Sequence, residues 1–314
     1  MLSILHQSQK RENPLDKQKS PHKSVLVEEV IEYLNIKPNG VYLDVTFGAG
    51  GHTRAILEAE PTCRVVAIDW DKEALQTYGL LLQEEFADRL KLVWGNFSLL
   101  YKLAKKEKFD SFDGILADFG TSQIQITERA GFSVYRDTPL DMRMSPAHQK
   151  TTAAQILKDA SEQEIREIFW RYGQEKFTKQ IARAIVEERR RNKIETTAQL
   201  AKLVERVVPK NSRQKIHPAT RIFQALRICV NNELDNITSF LSAAVHLLKP
   251  NGRLVCISFH SLEDRLVKEF FADRAALGDL SVLTPKVVTA SKEELDQNIS
   301  ARSAKLRAAQ VVKK

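Results

Sequence analysis

Glycines and carboxylates at the ends of apolar runs are the residues of this sequence best suited to chemistry. Gly48, Gly50 and Gly51 follow the apolar residues 41–45, and glycine allows a positive φ and a close approach between backbone and ligand. Asp69 ends the next apolar run, about twenty positions later, where a Rossmann-like sheet binds the two hydroxyl groups of a ribose. The glycines alone are equally typical of a surface turn. Together with Asp69 they favour a nucleoside-binding site.

Three further side chains are expected near the same site. His52 begins the helical pattern after the glycine turn, Phe97 follows the third apolar run, and Asp118 ends the fourth. Ligands of open α/β sheets bind outside the carboxyl ends of the strands, so Asp118 is expected beside the reactive end of a cofactor. Phe97 is expected either to stack on an adenine ring or to pack in the core.

The elements that must position these residues alternate between strand and helix patterns. Apolar runs at residues 41–45, 64–68, 90–94 and 112–118 predict strands, and helical patterns separate them. A long mixed loop follows at 121–144, and loops of this length are usually functional. Residues 151–208 carry only helical patterns, and a fifth strand follows at 252–260. The sequence therefore predicts an α/β sheet domain with an inserted helical domain.

The composition is that of a globular protein without membrane spans. Hydrophobic residues make up 43% of the 314 positions and charged residues 28%, and no apolar run approaches the roughly 20 residues of a membrane helix. The first 23 residues lack the apolar stretch of a secretory signal. Three cysteines, Cys63, Cys229 and Cys256, stand far apart without metal-ligand spacing. These features predict a cytoplasmic protein with neither disulfides nor a metal site.

The distribution of charge indicates a polyanionic partner. The chain carries a net charge of +8 and has an isoelectric point near 9.3. Residues 171–215 contain 13 lysines and arginines against 5 acidic residues, so this segment alone matches the excess of the whole chain. Such a concentration favours a nucleic-acid surface over an ordinary solvated helical face.

Six segments give the chain a resemblance to the MraW/RsmH family of ribosomal RNA small-subunit methyltransferases. Among them are Asp-Val-Thr-Phe-Gly-Ala-Gly-Gly-His at 44–52 and Ile-Ser-Phe-His-Ser-Leu-Glu-Asp-Arg at 257–265. The others lie at residues 22–26, 137–144, 217–227 and 301–307. A glycine turn is weak evidence by itself, but this ordered set is highly specific.

The resemblance implies a class I (Rossmann-like) S-adenosylmethionine-dependent methyltransferase sheet with an inserted all-helical domain. It divides the chain into a disordered segment 1–21, a methyltransferase domain at 22–125 and 216–314, and a basic substrate-recognition domain at 126–215. Members of the family transfer a methyl group from S-adenosylmethionine to N4 of a cytidine in the decoding (P-site) region of bacterial 16S ribosomal RNA. The expected partner is therefore the small ribosomal subunit, and the oligomeric state is left open.

The resemblance also implies which residues form the site. The cofactor contacts it assigns are Gly50, Gly51, His52, Asp69, Phe97, Asp118 and Gln125. The lone pair of the cytosine amine is delocalised into the ring, so catalysis must orient the amine and help it lose a proton. Asp118, Asp141 and His260 are the candidates for this role. Pairing with Arg136 or Arg143 explains Asp141 at least as well.

Three segments depart from the usual family pattern. Residues 118–123 read Asp-Phe-Gly-Thr-Ser-Gln instead of Asp-Leu-Gly-Val-Ser-Ser, and residues 130–134 read Ala-Gly-Phe-Ser-Val instead of Arg-Gly-Phe-Ser-Phe. Residues 298–300 read Asn-Ile-Ser instead of Asn-Pro-Arg. Asp118 and Gln125 keep their places. Cofactor binding is therefore still expected, with a less typical loop facing the substrate.

Two other classes of protein share parts of this pattern. A dinucleotide-dependent oxidoreductase would have the same strand, glycine turn and acidic residue, but it would not explain the basic helical insertion. An RNA-binding assembly factor without catalysis would keep the basic surface and tolerate the changes near residues 121–134.

Overall fold

Seven strands among the described residues form one mixed sheet. The structure, a computed structural model, describes residues 23–120, 129–209 and 216–312. The strands are β1 Val41–Asp44, β2 Arg64–Asp69, β3 Leu90–Trp94, β4 Phe112–Asp118, β5 Leu248–Ser258, β6 Leu280–Val282 and β7 Lys305–Val311. Their order across the sheet is β3-β2-β1-β4-β5-β7-β6. Strands β1 to β5 pair in parallel, whereas β7 runs antiparallel to β5 and β6.

This order brings the carboxylates of three strands to one edge of the sheet. Strand β1 pairs with both β2 and β4, so the order of the strands reverses between them, where open sheets bind their ligands. The three strands are parallel and end at Asp44, Asp69 and Asp118. All three carboxylates therefore lie at the same carboxyl edge, as the sequence predicts for Asp69 and Asp118.

Helices cover both faces of the sheet. In chain order, the α-helices of the described residues, including those of the insertion, are α1 Val27–Leu34, α2 Gly51–Ala59, α3 Lys72–Ala74, α4 Leu80–Phe86, α5 Leu100–Glu107, α6 Ala153–Asp159, α7 Glu162–Gly173, α8 Thr178–Glu188, α9 Thr197–Val207, α10 Thr220–Asn231, α11 Glu233–Leu247, α12 Ser261–Ala276 and α13 Lys292–Gln297. Helices α1 and α2 pack on one face through Val30 and Ile56, and α11 and α12 pack on the other through Phe240 and Phe271. The predicted alternation of strand and helix is confirmed. None of these described helices is long and apolar enough to cross a membrane.

A separate hydrophobic core belongs to the helices inserted between β4 and β5. Helices α6 to α9 contribute buried side chains such as Phe169, Ile185 and Leu200, and α10 joins the same core through Phe223 and Leu226. The inserted domain is expected to end at residue 215, before α10. In the structure, however, α10 shares the core of the inserted helices. The segment 1–21, expected to be disordered, lies outside the described residues.

Capping boxes begin three of the inserted helices. The Ser161 side chain accepts a hydrogen bond from the Glu164 amide, and the Glu164 carboxylate accepts one from the Ser161 amide at 2.7 Å. Thr152 and Thr196 form equivalent boxes at the starts of α6 and α9. Each box satisfies N–H groups that the first turn of a helix leaves unpaired, so these helices begin where the sequence places their caps.

Strand β7 is an element that local sequence patterns do not predict. Its buried side chains are Leu306, Ala308 and Ala309, and alanine favours helices rather than strands when considered locally. Pairing with β5 on one side and β6 on the other determines its conformation. Because these contacts join residues far apart in sequence, only the assembled sheet defines the strand.

Candidate active site

A cavity of about 440 Å³ opens at the carboxyl edge of the sheet. Its wall includes residues from the ends of β1, β2 and β4, from α10 and α11, and from the chain after α13. Of the residues expected to contact a cofactor, those that line it are His52, Asp69, Phe97 and Asp118. This arrangement places these four side chains around one space.

The glycine turn shapes the floor of this cavity. Gly48 and Ala49 line it, whereas Gly50 and Gly51 are not among the lining residues. A Cβ atom on Gly50, whose φ is +80°, would lie 2.8 Å from the ring of Phe47, and one on Gly51 would lie 2.1 Å from Ser24 Oγ. Position 50 therefore requires glycine, because of both its φ and the Phe47 ring, whereas a Cβ atom on Gly51 would force the Ser24 side chain to move.

Asp69 presents a buried carboxylate to the cavity at the end of β2. Only 8% of the residue is exposed. Its Oδ2 accepts a hydrogen bond from the Gly48 amide at 2.7 Å, and its Oδ1 accepts one from the Asp71 amide at 2.8 Å. Burial raises the pKa of Asp69 to about 7, although both amides oppose this shift. Each oxygen keeps a second lone pair, so the group can accept hydrogen bonds from two neighbouring hydroxyls.

His52 and Asp118 face each other across the cavity wall. His52 Nε2 lies 3.5 Å from Asp118 Oδ2. Among the described residues, neither ring nitrogen of His52 nor Asp118 Oδ1 has a hydrogen-bond partner, although all three atoms are buried. Burial opposes a charge on the imidazole, but the nearby carboxylate of Asp118 favours it and raises the pKa of His52 overall. Such unsatisfied buried atoms fit a polar ligand.

Phe97 forms part of an aromatic group at the side of the cavity. Its ring centroid lies 5.7 Å from that of Phe240 in an edge-to-face arrangement, and 6.0 Å from that of Phe119. Phe97 also packs against the sheet core while lining the cavity. The two interpretations of this residue are therefore compatible, because one ring can both complete the core and offer a surface to an adenine.

Asp141 does not line the cavity. Its carboxylate pairs with Arg143 through two contacts, Nε to Oδ1 at 2.7 Å and Nη2 to Oδ2 at 2.8 Å. Burial favours the neutral acid, but the hydrogen bonds from Arg143 lower the pKa of Asp141 overall. The pairing with Arg143, one of the alternatives that the sequence leaves open, is therefore present.

His260 caps helix α12. Its Nδ1 accepts a hydrogen bond from the Glu263 amide at 3.4 Å, and the Phe259 amide donates to Glu263 Oε2 at 2.8 Å. Glu263 lines the cavity, whereas His260 is not among the lining residues. The structure thus places His260 behind the cavity wall, where it orients the start of the helix.

Glu233, His260 and Glu263 are close enough to one another to resemble a metal-ligand set. However, the Glu233 carboxylate already receives two hydrogen bonds from Arg227, at 2.9 and 2.8 Å. His260 Nε2 and Glu263 Oε1 lie 3.2 Å apart, and both atoms are buried without a hydrogen-bond partner among the described residues. With the Glu233 carboxylate already engaged by Arg227, the group does not offer three free ligands for a metal ion.

Sequence reasoning missed two parts of the cavity wall. One is the ion pair of Arg227 and Glu233, whose members lie on successive helices, and the other is the turn Ile299–Ser303 after α13. Both lie in or next to segments that match the family, and this match was the feature of the sequence that could have revealed them. Neither shows the local pattern of a binding site. Gln125, also expected at the cofactor, lies outside the described residues.

The fold and the cavity define a class I S-adenosylmethionine-dependent methyltransferase. The features that define it are the parallel sheet with its antiparallel β7, the glycine turn before α2 and the carboxylate that ends β2. The cofactor of this class is S-adenosylmethionine. The chain belongs to the MraW methylase family, whose sequence profile matches residues 19–312. The family and the fold class predicted from the sequence are confirmed.

Similar proteins include two named ribosomal RNA small subunit methyltransferase H. The protein from Cyanothece sp. is 48% identical over 290 residues, which cover 92% of this chain and 94% of that protein. The protein from Thermomicrobium roseum is 46% identical over 316 residues, with 95% of each chain covered. A solved structure of an rRNA methylase from Streptococcus thermophilus is 8% identical, with a TM-score of 0.42, and the match covers 91% of this chain and 96% of that one.

Proposed function

We propose that this protein transfers a methyl group from S-adenosylmethionine to N4 of a cytidine in the decoding (P-site) region of bacterial 16S ribosomal RNA. The observation that carries the proposal is Oδ1 of Asp118, a buried carboxylate oxygen in the wall of a nucleoside-sized cavity that has no hydrogen-bond partner among the described residues. A carboxylate oxygen is the natural acceptor for the N–H of an exocyclic amine. The names of the similar proteins supply the substrate class.

The residues of the cavity suit the parts of S-adenosylmethionine. Asp69 would accept the ribose hydroxyls, Phe97 would contact the adenine, and the backbone at Gly48 would face the methionine end together with His52. Gly50 and Gly51 would act through the shape of the turn. Gln125 stays a proposed contact because of its position after β4.

Asp118 is the group that we assign to the amine. When bound, S-adenosylmethionine supplies a methyl group on a positively charged sulfur and leaves as S-adenosylhomocysteine. Asp118 Oδ1 accepts a hydrogen bond from an N–H of N4 and thereby orients the nitrogen. When N4 forms a bond to the methyl carbon, the same oxygen takes the proton that N4 loses. Asp141 and His260 support this site indirectly, since one pairs with Arg143 and the other caps α12.

The inserted helices are the proposed RNA surface. Arg190, Arg191 and Lys193 are exposed after α8, and Trp170 on α7 is 65% exposed, as expected of a side chain that stacks on an unpaired base. Arg189 differs from its neighbours because its guanidinium donates to the carbonyls of Leu157 and Ala160 at the end of α6. A ribosomal substrate would place the reaction in the bacterial cytoplasm, which agrees with three free cysteines.

Methyl transfer to purified small ribosomal subunits tests the proposal. Subunits from cells that lack the modification would be incubated with the protein and S-adenosylmethionine, and their RNA digested to nucleosides. Mass spectrometry should then detect N4-methylcytidine at one position. Methylation of another atom, or none, would contradict the proposal. RNA binding without methyl transfer would favour the assembly factor, and calorimetric binding of NAD instead of S-adenosylmethionine would favour the oxidoreductase.

A further inference from the structure

The turn Ile299–Ser303, between α13 and β7, forms part of the cavity wall. Four of its residues line the cavity, and they are Ile299, Ser300, Arg302 and Ser303. We call this segment the tail turn. None of the cofactor contacts assigned above lies in it, so its role in the cavity is still unexplained.

The tail turn is held firmly in place. The Asn298 side chain donates to the Lys23 carbonyl at 2.9 Å and accepts from the Ser300 amide at 3.2 Å. Ala301 and Ala304 are both 1% exposed and anchor the turn in the core of one sheet face. The outward positions of Ile299 and Arg302 are therefore fixed by the fold.

Two side chains of this turn line the cavity and are exposed to solvent. Ile299 is 73% exposed although it lines the cavity. Arg302 also lines the cavity and is exposed, and it makes no ion pair within the described part of the chain. An exposed aliphatic side chain beside an exposed arginine, both at the mouth of a binding cavity, is a combination that favours a ligand with an apolar face and an anionic group.

We propose that the tail turn binds the target nucleotide of the RNA, with Ile299 packed on a base and Arg302 on the adjoining phosphate. This inference rests on the proposed function. A base drawn into the cavity leaves the stack of its neighbours, so its faces are open to apolar side chains such as that of Ile299. Arginine suits the phosphate because its planar guanidinium donates two hydrogen bonds in parallel.

The position of the turn distinguishes RNA from the cofactor as its ligand. Asp69 and His52 are 8% and 5% exposed, whereas Ile299 is 73% exposed, so a cofactor bound to the buried residues would leave Ile299 largely in water. The larger substrate approaches from outside and can cover both Ile299 and Arg302. The competing assignment, in which Arg302 binds the carboxylate of the cofactor, predicts a different outcome in the experiment below.

Replacement of Ile299 by Ala, with Leu277→Ala as a matched control, tests the first contact. Leu277 is 72% exposed at the end of α12 and does not line the cavity. Binding of a fluorescent single-stranded RNA with a central cytidine would be measured by anisotropy, in parallel with methylation of small subunits. Ile299→Ala should weaken RNA binding and lower kcat/KM by roughly tenfold, since three buried carbons are lost. Leu277→Ala should change neither quantity.

Arg302→Ala and Arg302→Lys test the second contact. The alanine variant should weaken RNA binding and reduce the slope of log affinity against log salt by about one, as for one phosphate contact. The lysine variant should restore the slope but only part of the affinity. Calorimetric affinity for S-adenosylmethionine should be unchanged in both variants.

Two results would overturn the inference. One is equal behaviour of Ile299→Ala and Leu277→Ala, and the other is a loss of cofactor affinity in Arg302→Ala without a loss of RNA affinity. Failure of the proposed function would give a different result. In that case the wild-type protein itself would form no N4-methylcytidine, independently of the tail-turn variants. Melting temperatures near that of the wild type would show that the variants are folded.

Discussion

His52 Nε2 lies 3.5 Å from Asp118 Oδ2, and the other oxygen of Asp118 is buried without a hydrogen-bond partner among the described residues. Two residues 66 positions apart in the sequence therefore place their polar groups beside each other in the cavity wall. The carboxylate keeps one oxygen for a substrate. The amide of Asp118 donates to Thr46 Oγ1 at 2.7 Å, which ties this pair to the glycine turn.

Asp118→Asn should lower single-turnover methyl transfer by roughly 10²-fold or more, as for loss of an acid–base group. The amide keeps the size of the side chain but cannot take a proton from N4. The melting temperature should change little, because Oδ1 has no protein partner to lose among the described residues and the asparagine oxygen can still face His52 Nε2. A methylation rate within a few-fold of the wild type would contradict the assignment of Asp118.

Binding of S-adenosylmethionine should strengthen as the pH rises through about 7. Burial raises the pKa of Asp69 to about 7, and only the ionised carboxylate can accept hydrogen bonds from both ribose hydroxyls with both oxygens. Calorimetry between pH 6 and 8 would measure the effect. The matched variant Asp69→Asn should bind more weakly and lose this part of the pH dependence. An identical pH profile in the variant would show that another group titrates.

Asp69 should also make folding stability depend on pH. Its pKa in the folded protein lies above the ordinary value of an aspartate, 3.8, so the contribution of the protonated form to folding stability is complete below about pH 4. That contribution is lost as the pH rises through about 7. In denaturant titrations without cofactor, Asp69→Asn should therefore gain stability relative to the wild type as the pH rises from 5 to 8. A constant difference between the two proteins would contradict the shifted pKa.

Asp141→Asn should lower stability rather than the rate of methylation. The variant loses the charge that receives two hydrogen bonds from Arg143, and hydrogen bonds to charged groups contribute about 1.5–3 kcal/mol. Since the pKa of Asp141 is lowered, its contribution is present above the ordinary carboxylate pKa and is lost as the pH falls through the folded pKa. Denaturant titration would measure the loss. A large fall in the methylation rate at unchanged stability would instead restore a catalytic role.

Substitution of Arg190, Arg191 and Lys193 by Ala should weaken RNA binding and flatten its salt dependence, because fewer counterions are released from the RNA. The slope of log affinity against log salt should fall by about two to three units if each side chain meets a phosphate. Cofactor affinity should not change. Anisotropy at several salt concentrations would provide the measurement.

Arg189→Ala is the matched control for these cations. Its guanidinium donates to the carbonyls of Leu157 and Ala160, so its loss should destabilise the inserted helices while the salt slope of RNA binding stays the same. If Arg189→Ala changed the slope as much as the exposed cations, the distinction between structural and RNA-binding arginines would be wrong.

The sequence by itself determined the elements whose cause is local. Alternating apolar runs specify the parallel strands, glycines allow the turn before α2, and Ser161 with Glu164 specifies the start of α7. The ordered motifs also identified the family, because a family pattern is itself a property of sequence. These features depend on residues that are neighbours in the chain, so the sequence contains the whole of their physical cause.

Only the tertiary structure decided the contacts between distant segments. Strand β7 exists because β5 and β6 pair with it, and Asp141 is partnered although the sequence offered both a catalytic and a paired interpretation. The tail turn reaches the cavity because Asn298 binds the Lys23 carbonyl, 275 positions away. Hydrogen bonds and packing across such separations depend on the assembled sheet, and no local period or propensity records them.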